Sequence, residues 1–109
     1  MVTFIGLALG PYTIGRLSVD TGRRLAAVGD TALDLTAKEW CLLEHLALKV
    51  GTVVARESLW EHCYDFNEEP NPNRIEAHLA NLRRKLAAAG ADGLIQTRRG
   101  LGYVLGGDG

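Results

Sequence analysis

The sequence predicts an α+β domain in which an N-terminal antiparallel sheet, three helices and a C-terminal β-hairpin follow one another. Three observations predict it. Short apolar alternations broken by turn signals fill residues 12–35, helical periodicity takes over at Thr36, and alternation returns after Leu94. The chain has 109 residues, 47% hydrophobic and 23% charged, which suits one globular core without disulfides or metal. Residues 12–106 are assigned to that domain, 1–11 to a linker or tail, and 107–109 to a C-terminal tail.

In the first stretch Ile14, Leu17 and Val19 lead to the turn Asp20-Thr21-Gly22, and Leu25 and Val28 lead to a second turn at Gly29-Asp30. Leu33 and Leu35 then close a set of three or four short strands joined by hairpins. Thr36 and Glu39 have capping-box spacing, in which the Thr oxygen takes the Glu39 amide proton and the Glu carboxylate reaches back. Trp40, Leu43, Leu46, Ala47 and Val50 recur at helical spacing, with Gly51 as the stop. Val53-Val54 predicts one short strand. A second helix spans residues 56–64 and buries Leu59, Trp60 and Cys63. The segment DFNEEPNPN, with two prolines and three asparagines, is a loop. For the third helix, about 73–89, two starts compete: Asn73 with Glu76, and Asn71 with Pro72 at the first helical position. Its narrow apolar stripe is Ile75, Leu79, Leu82 and Leu86, and Gly90 ends it. Two strands, residues 95–97 and 103–105, complete the hairpin.

Several classes are set aside. No apolar run approaches the ~20 residues of a spanning helix. The apolar N-terminal VTFIGLALG lacks the basic flank and cleavage pattern of a signal peptide. Cys41 and Cys63 are too few for a disulfide scaffold and suit a reducing cytoplasm. A metal site drawn from Cys41, His45, His62 and Cys63 fails because Cys63 falls inward with Leu59, while His62 and Cys63 diverge on one helix. No residue arrangement supports catalysis, and Gly100-Leu101-Gly102 is too short for a phosphate loop. The expectation is a non-enzyme with no cofactor and no metal.

A net charge of −1 conceals an asymmetry. Residues 1–70 carry six basic and ten acidic side chains, whereas residues 71–109 carry six basic and three acidic. A polyanion partner needs such local excess rather than total charge. On the third helix, with the stripe turned inward, Arg74, Ala77, His78 and Asn81 fall together outside. These compact side chains with hydrogen-bonding ends suit the major groove of double-stranded DNA: Asn pairs with adenine, Arg with guanine, and an Ala methyl meets thymine. Arg83, Arg84 and Lys85 cluster further along, where cations also offset the helix's negative end. By pattern alone, a solvated amphipathic helix with a basic tail fits equally well. The hairpin turns the balance, because Arg98-Arg99 on a narrow loop can enter a neighbouring A·T-rich minor groove. A groove-reading helix followed by a cationic hairpin is winged helix-turn-helix geometry.

The segment LDLTAKEWCLLEHLALKVGTVVARESLWEHCYDF, followed by NRIEAHLANLRRKL and IQTRRGLGYVL, closely resembles the DNA-binding domain of OmpR/PhoB-type response regulators. L-T-x-x-E, L-R-x-K-L and R-G-x-G-Y, in this order and spacing, are highly specific together, and the likeness covers roughly residues 12–105. The resemblance implies sequence-specific promoter binding as a homodimer, often head-to-tail on direct repeats, and transcription regulation within a two-component phosphorelay. It implies phosphate contacts for Arg56 and Arg83, groove-facing roles for His78 and Asn81, wing roles near the backbone for Thr97 and Tyr103, and a minor-groove arginine at Arg99. It also implies that the loop bearing Phe66, Asn67, Glu68 and Glu69 touches RNA polymerase. Departures are Asn81 and Ala80 where basic residues are usual, Ala55 for a Ser cap, Tyr64 for a Trp, and Arg98 for an apolar residue. They imply a different target and weaker phosphate contact. The family's receiver domain is absent from the sequence, so a longer parent chain is expected beside the alternative of a single-domain protein. The other functional class is a protein-interaction module acting through the acidic 65–73 loop, since residues 56–69 hold five acidic side chains against one basic.

Overall fold

A computed structural model describes residues 12–65, 67–68 and 71–106. The chain begins with a four-stranded antiparallel sheet in sequence order: β1 (Tyr12–Ile14), β2 (Leu17–Asp20), β3 (Leu25–Val28) and β4 (Thr31–Ala32). Leu17 and Val19 on β2 and Ala26 and Val28 on β3 turn inward, as the two-residue alternation dictates. The last strand is earlier and shorter than the apolar pattern suggests. Leu33 still donates its amide to the Ala26 carbonyl at 2.9 Å, after which the chain leaves the sheet to reach the cap at Thr36.

Helix α1 (Ala37–Leu48) starts on the expected capping box: Glu39 N to Thr36 Oγ1 is 3.2 Å and Thr36 N to Glu39 Oε1 is 3.0 Å. It is the central helix, with Trp40, Leu42, Leu43, Leu46 and Ala47 all buried, a wider face than one stripe. It ends before Val50, which is exposed, because the Gly51 amide is drawn to the Leu105 carbonyl at 2.9 Å. Val54 then forms an antiparallel bridge with Tyr103, its N–H to Tyr103 O at 2.7 Å and the return bond at 2.9 Å. The expected Val53-Val54 strand is thus a single rung laid against the hairpin.

Helix α2 spans Arg56–Cys63 and α3 spans Pro72–Ala88. Between the two possible starts of α3, Asn71 is the cap: its Oδ1 accepts from Asn73 N at 2.9 Å, and Pro72 occupies the first turn, where a missing N–H costs nothing. At the other end, Ala91 N reaches Leu86 O at 2.8 Å and Gly90 N reaches Ala87 O at 3.0 Å, a Schellman closure. Strands β5 (Ile95–Arg98) and β6 (Gly102–Leu105) pair antiparallel. One core joins the sheet, the three helices and Leu105, with Ile75, Leu79, Leu82 and Leu86 seated in it as the stripe requires. The arrangement is a winged helix.

Candidate nucleic-acid interface

The outer side of α3 carries Asn73, Ala77, Ala80 and Arg84, all exposed, with Asn81 half-buried between them. Arg84 donates to the side-chain oxygen of Asn81 one turn back, so the two form a polar unit on this ridge. At the hairpin's turn, Leu101 N bonds to Arg98 O at 2.8 Å, and Arg99 stands exposed within it. Arg83 leaves the flank of α3 toward the hairpin, donating from Nε to Ile95 O at 3.2 Å and from Nη2 to Thr97 Oγ1 at 2.8 Å. Helix and hairpin are therefore fastened through the guanidinium of Arg83, which brings Thr97 beside it. Arg56 lies exposed in the first turn of α2.

Other residues expected at the interface hold different positions. Lys85 is engaged within the fold: its ammonium pairs with Glu39 Oε1 at 2.6 Å and donates to Asp34 O at 2.8 Å, which binds α3 to the start of α1. Glu39 is only 3% exposed. Its burial alone would raise the carboxyl, but hydrogen bonds from Lys85 and Thr36, with the Lys85 charge, hold it below the usual range. Tyr103 is likewise engaged within the fold. Its ring is 2% exposed and its hydroxyl donates to Glu76 Oε2 at 3.1 Å, so it braces β6 against α3 from inside. Burial, then the Glu76 carboxylate, raise its phenol pKa, and Arg56 opposes them.

Arg74 and His78 sit on the shoulder of α3 rather than its crest. Arg74 pairs with Glu68 at 2.9 Å and its guanidinium lies 5.7 Å from the Tyr64 ring centroid. His78 is half-buried, its Nδ1 2.6 Å from the Tyr64 hydroxyl. Arg98 is occupied within its own strand, donating to Gln96 Oε1 at 2.7 Å. In the 65–73 loop Asn67 is exposed, but Glu68 is an internal clamp reaching Lys38 at 3.4 Å, Arg74 and the Asp65 amide at 3.0 Å. The Asp65 amide, ahead of the two cations, keeps its carboxyl below the usual range. Phe66 and Glu69 lie outside the described residues. Sequence reasoning missed Glu39, Glu76 and Tyr64 as supports of this surface. For Glu39 a signal existed, since a capping-box carboxylate beside a core helix needs a cation once buried.

The thiols and imidazoles considered for metal do not assemble. His45 Nε2 is 3.0 Å from Ser58 Oγ, its ring stacks on His62 at 4.2 Å, and Cys41 Sγ faces the His62 carbonyl at 3.7 Å. No cluster of three or more potential ligands occurs among the described residues.

Residues 30–105 match the family described as "Transcriptional regulatory protein, C terminal". This chain belongs to that family. It is 42% identical over 92 residues to the transcriptional regulatory protein BasR of Escherichia coli, a match that covers 84% of this chain and 40% of that relative. The chain thus spans less than half the length of the curated relatives it matches. Among solved structures, the DNA-binding domain of CpxR from E. coli is 32% identical with a TM-score of 0.74, covering 88% of this chain and 95% of that one. DrrB of Thermotoga maritima, described as an OmpR/PhoB homolog, is 26% identical with a TM-score of 0.77, covering 90% of this chain and 45% of the other. Within this OmpR/PhoB-type family, the three sequence motifs acquire a common physical meaning. Glu39 of the first binds Lys85 of the second, and Gly102 and Tyr103 of the third dock on Val54 and Glu76. Much of the motif signal describes how the domain is held together.

Proposed function

We propose that this chain is the output domain of a longer two-component response regulator, and that it regulates transcription by binding promoter DNA sequence-specifically. The observation that carries the reading is the Arg83 tie, which sets an exposed helix ridge and an exposed hairpin arginine on one rigid body. In this reading α3 enters the major groove with Ala77 and Asn81 toward base edges and Arg84 beside them. Arg83, Arg56 and Thr97 meet phosphates, and Arg99 enters the adjacent minor groove. Two copies bind repeated half-sites, a receiver domain precedes this one in the parent protein, and the complex works in the cytoplasm. RNA polymerase contact falls to the exposed part of the 65–73 loop, where Asn67 remains free of the clamp made by Glu68. Among the described residues, no helix is long and apolar enough to cross a membrane.

Selection of bound duplexes from a random double-stranded pool tests the proposal and yields the half-site spacing. Enrichment of a repeated motif is expected. Arg99→Ala should then lose affinity most on sites with A·T pairs flanking the half-site, and Arg98→Ala less, because Arg98 is held by Gln96. A pool that stays random after repeated rounds overturns the DNA-binding reading, and equal affinity of wild type and Arg99→Ala across flanks overturns the wing's role.

A further inference from the structure

We propose that Tyr64 is a positioning residue for DNA contact: its hydroxyl donates to Nδ1 of His78 and fixes the imidazole with its N–H on Nε2, aimed at a phosphate oxygen. The inference rests on the DNA-binding reading above. Tyr64 caps the end of α2, is 6% exposed, and stacks face to face on Trp60 with centroids 4.1 Å apart and planes 1° apart. The Lys38 ammonium lies 4.3 Å from the ring centroid. So held, the ring brings its hydroxyl to 2.6 Å from His78 Nδ1.

The hydroxyl can give or take a proton at Nδ1, and what surrounds it favours giving. Burial pushes the Tyr64 phenol up to about 12, so it keeps its proton. The cations beside the ring, Lys38 and Arg74, only donate, and the Glu68 carboxylate is engaged by both of them and by the Asp65 amide. Among the described residues, His78 Nδ1 is the one group hydrogen-bonded to the hydroxyl. A phenol that donates there requires an unprotonated Nδ1, and the neutral ring then carries its proton on Nε2. His78 lies about 60° round α3 from Ile75 and is half-buried, whereas Ala77 lies on the outer side. A donor on that shoulder meets the wall of a groove, where phosphates are, rather than its floor. A freely turning imidazole divides its proton between two nitrogens, and Tyr64 removes that division before DNA arrives.

The test begins on the free protein. Two-bond proton–nitrogen correlation spectra of the imidazoles should show His78 with an unprotonated Nδ1 and a protonated Nε2, and in Tyr64→Phe the two nitrogen shifts should move toward each other. On a duplex selected as above, Tyr64→Phe should weaken binding about three- to tenfold, the scale of one hydrogen bond. Its salt dependence should stay unchanged, because no cation is lost. His78→Gln carries its own N–H near the place of Nε2, so adding Tyr64→Phe on that background should cost little further affinity. Equal thermal midpoints of wild type and Tyr64→Phe keep the comparison one of positioning. A proton on Nδ1 in the wild type overturns the proposal, as does an undiminished Tyr64→Phe loss on the His78→Gln background. Failure of the wild type to bind any duplex removes the DNA reading and the phosphate role with it, while the spectra still decide the tautomer.

Discussion

Gly102 shows how much one side chain, or its absence, controls in this domain. Its φ is +147°, and a Cβ built there would overlap the Val54 carbonyl oxygen, the same group that receives the Tyr103 amide at 2.9 Å. Nothing flexible stands in the way; the obstacle is backbone. Gly102→Ala should therefore lower stability by about 2–4 kcal/mol, the sum of a disfavoured backbone region and an unyielding overlap. Gly93 is the control, with a φ of +81° but no atom within 4 Å of its added Cβ. Gly93→Ala should cost only the backbone part, about 1–2 kcal/mol. Denaturant unfolding of both variants checks this, and equal losses would show that the approach to Val54 does not matter. The R-G-x-G-Y pattern made the glycine conspicuous in the sequence, but its partner, 48 positions earlier, could not be read there because only the folded chain brings Val54 to it.

At the scale of elements, the proposed DNA-binding role would divide α3 by angle around its axis into base reading, phosphate contact and internal bracing. Asn81 lies on the outer side, and Arg83 about 200° away faces the hairpin. Asn81→Ala should cost about 1–3 kcal/mol at the best site and relax preference at one or two base pairs. Arg83→Ala should weaken all sites alike and reduce the salt slope by about one. Titrations on single-base operator mutants at two salt concentrations decide between them, and an equal loss on every site for Asn81→Ala removes its base-reading role. Lys85→Met should do neither: with Glu39 left unpaired and buried, stability falls by about 1–3 kcal/mol while the salt slope stays put. A lower slope for Lys85→Met would return that lysine to the phosphate contacts. Helical periodicity made the stripe of α3 legible, together with the ends of all three helices to within a residue or two. It could not separate Arg83 from Lys85, because charge and position along a helix do not say which neighbouring element supplies an acceptor. The capping-box Glu39 and the Ile95 carbonyl settle that, and both belong to tertiary contacts.

For the molecule as a whole, two buried groups on one central helix should make stability respond to acid in two stages. Burial, then the His62 ring and Lys49, hold the His45 imidazole below its usual range, so the folded state resists its protonation. Between the unfolded value, about 6.5, and the lower folded one, the unfolded chain binds the extra proton, and stability falls as pH drops through that window. Glu39 acts in the same direction at lower pH. Its folded pKa is lowered, so its contribution is complete above the unfolded value, about 4.3, and is lost as pH falls through the folded one. The thermal midpoint should therefore decline once below about pH 6.5 and again below about pH 4.3. His45→Gln places an amide near Nε2, where Ser58 Oγ is 3.0 Å away, and removes the titration, so it should flatten the first decline and leave the second. Glu39→Gln should leave the first decline and shrink the second, from a lower starting midpoint because Lys85 loses its charged partner, with Glu68 supplying what remains of the second. Melting curves across this range for the three proteins test the assignment. If the first decline survives in His45→Gln, acid sensitivity near neutrality arises elsewhere in the fold.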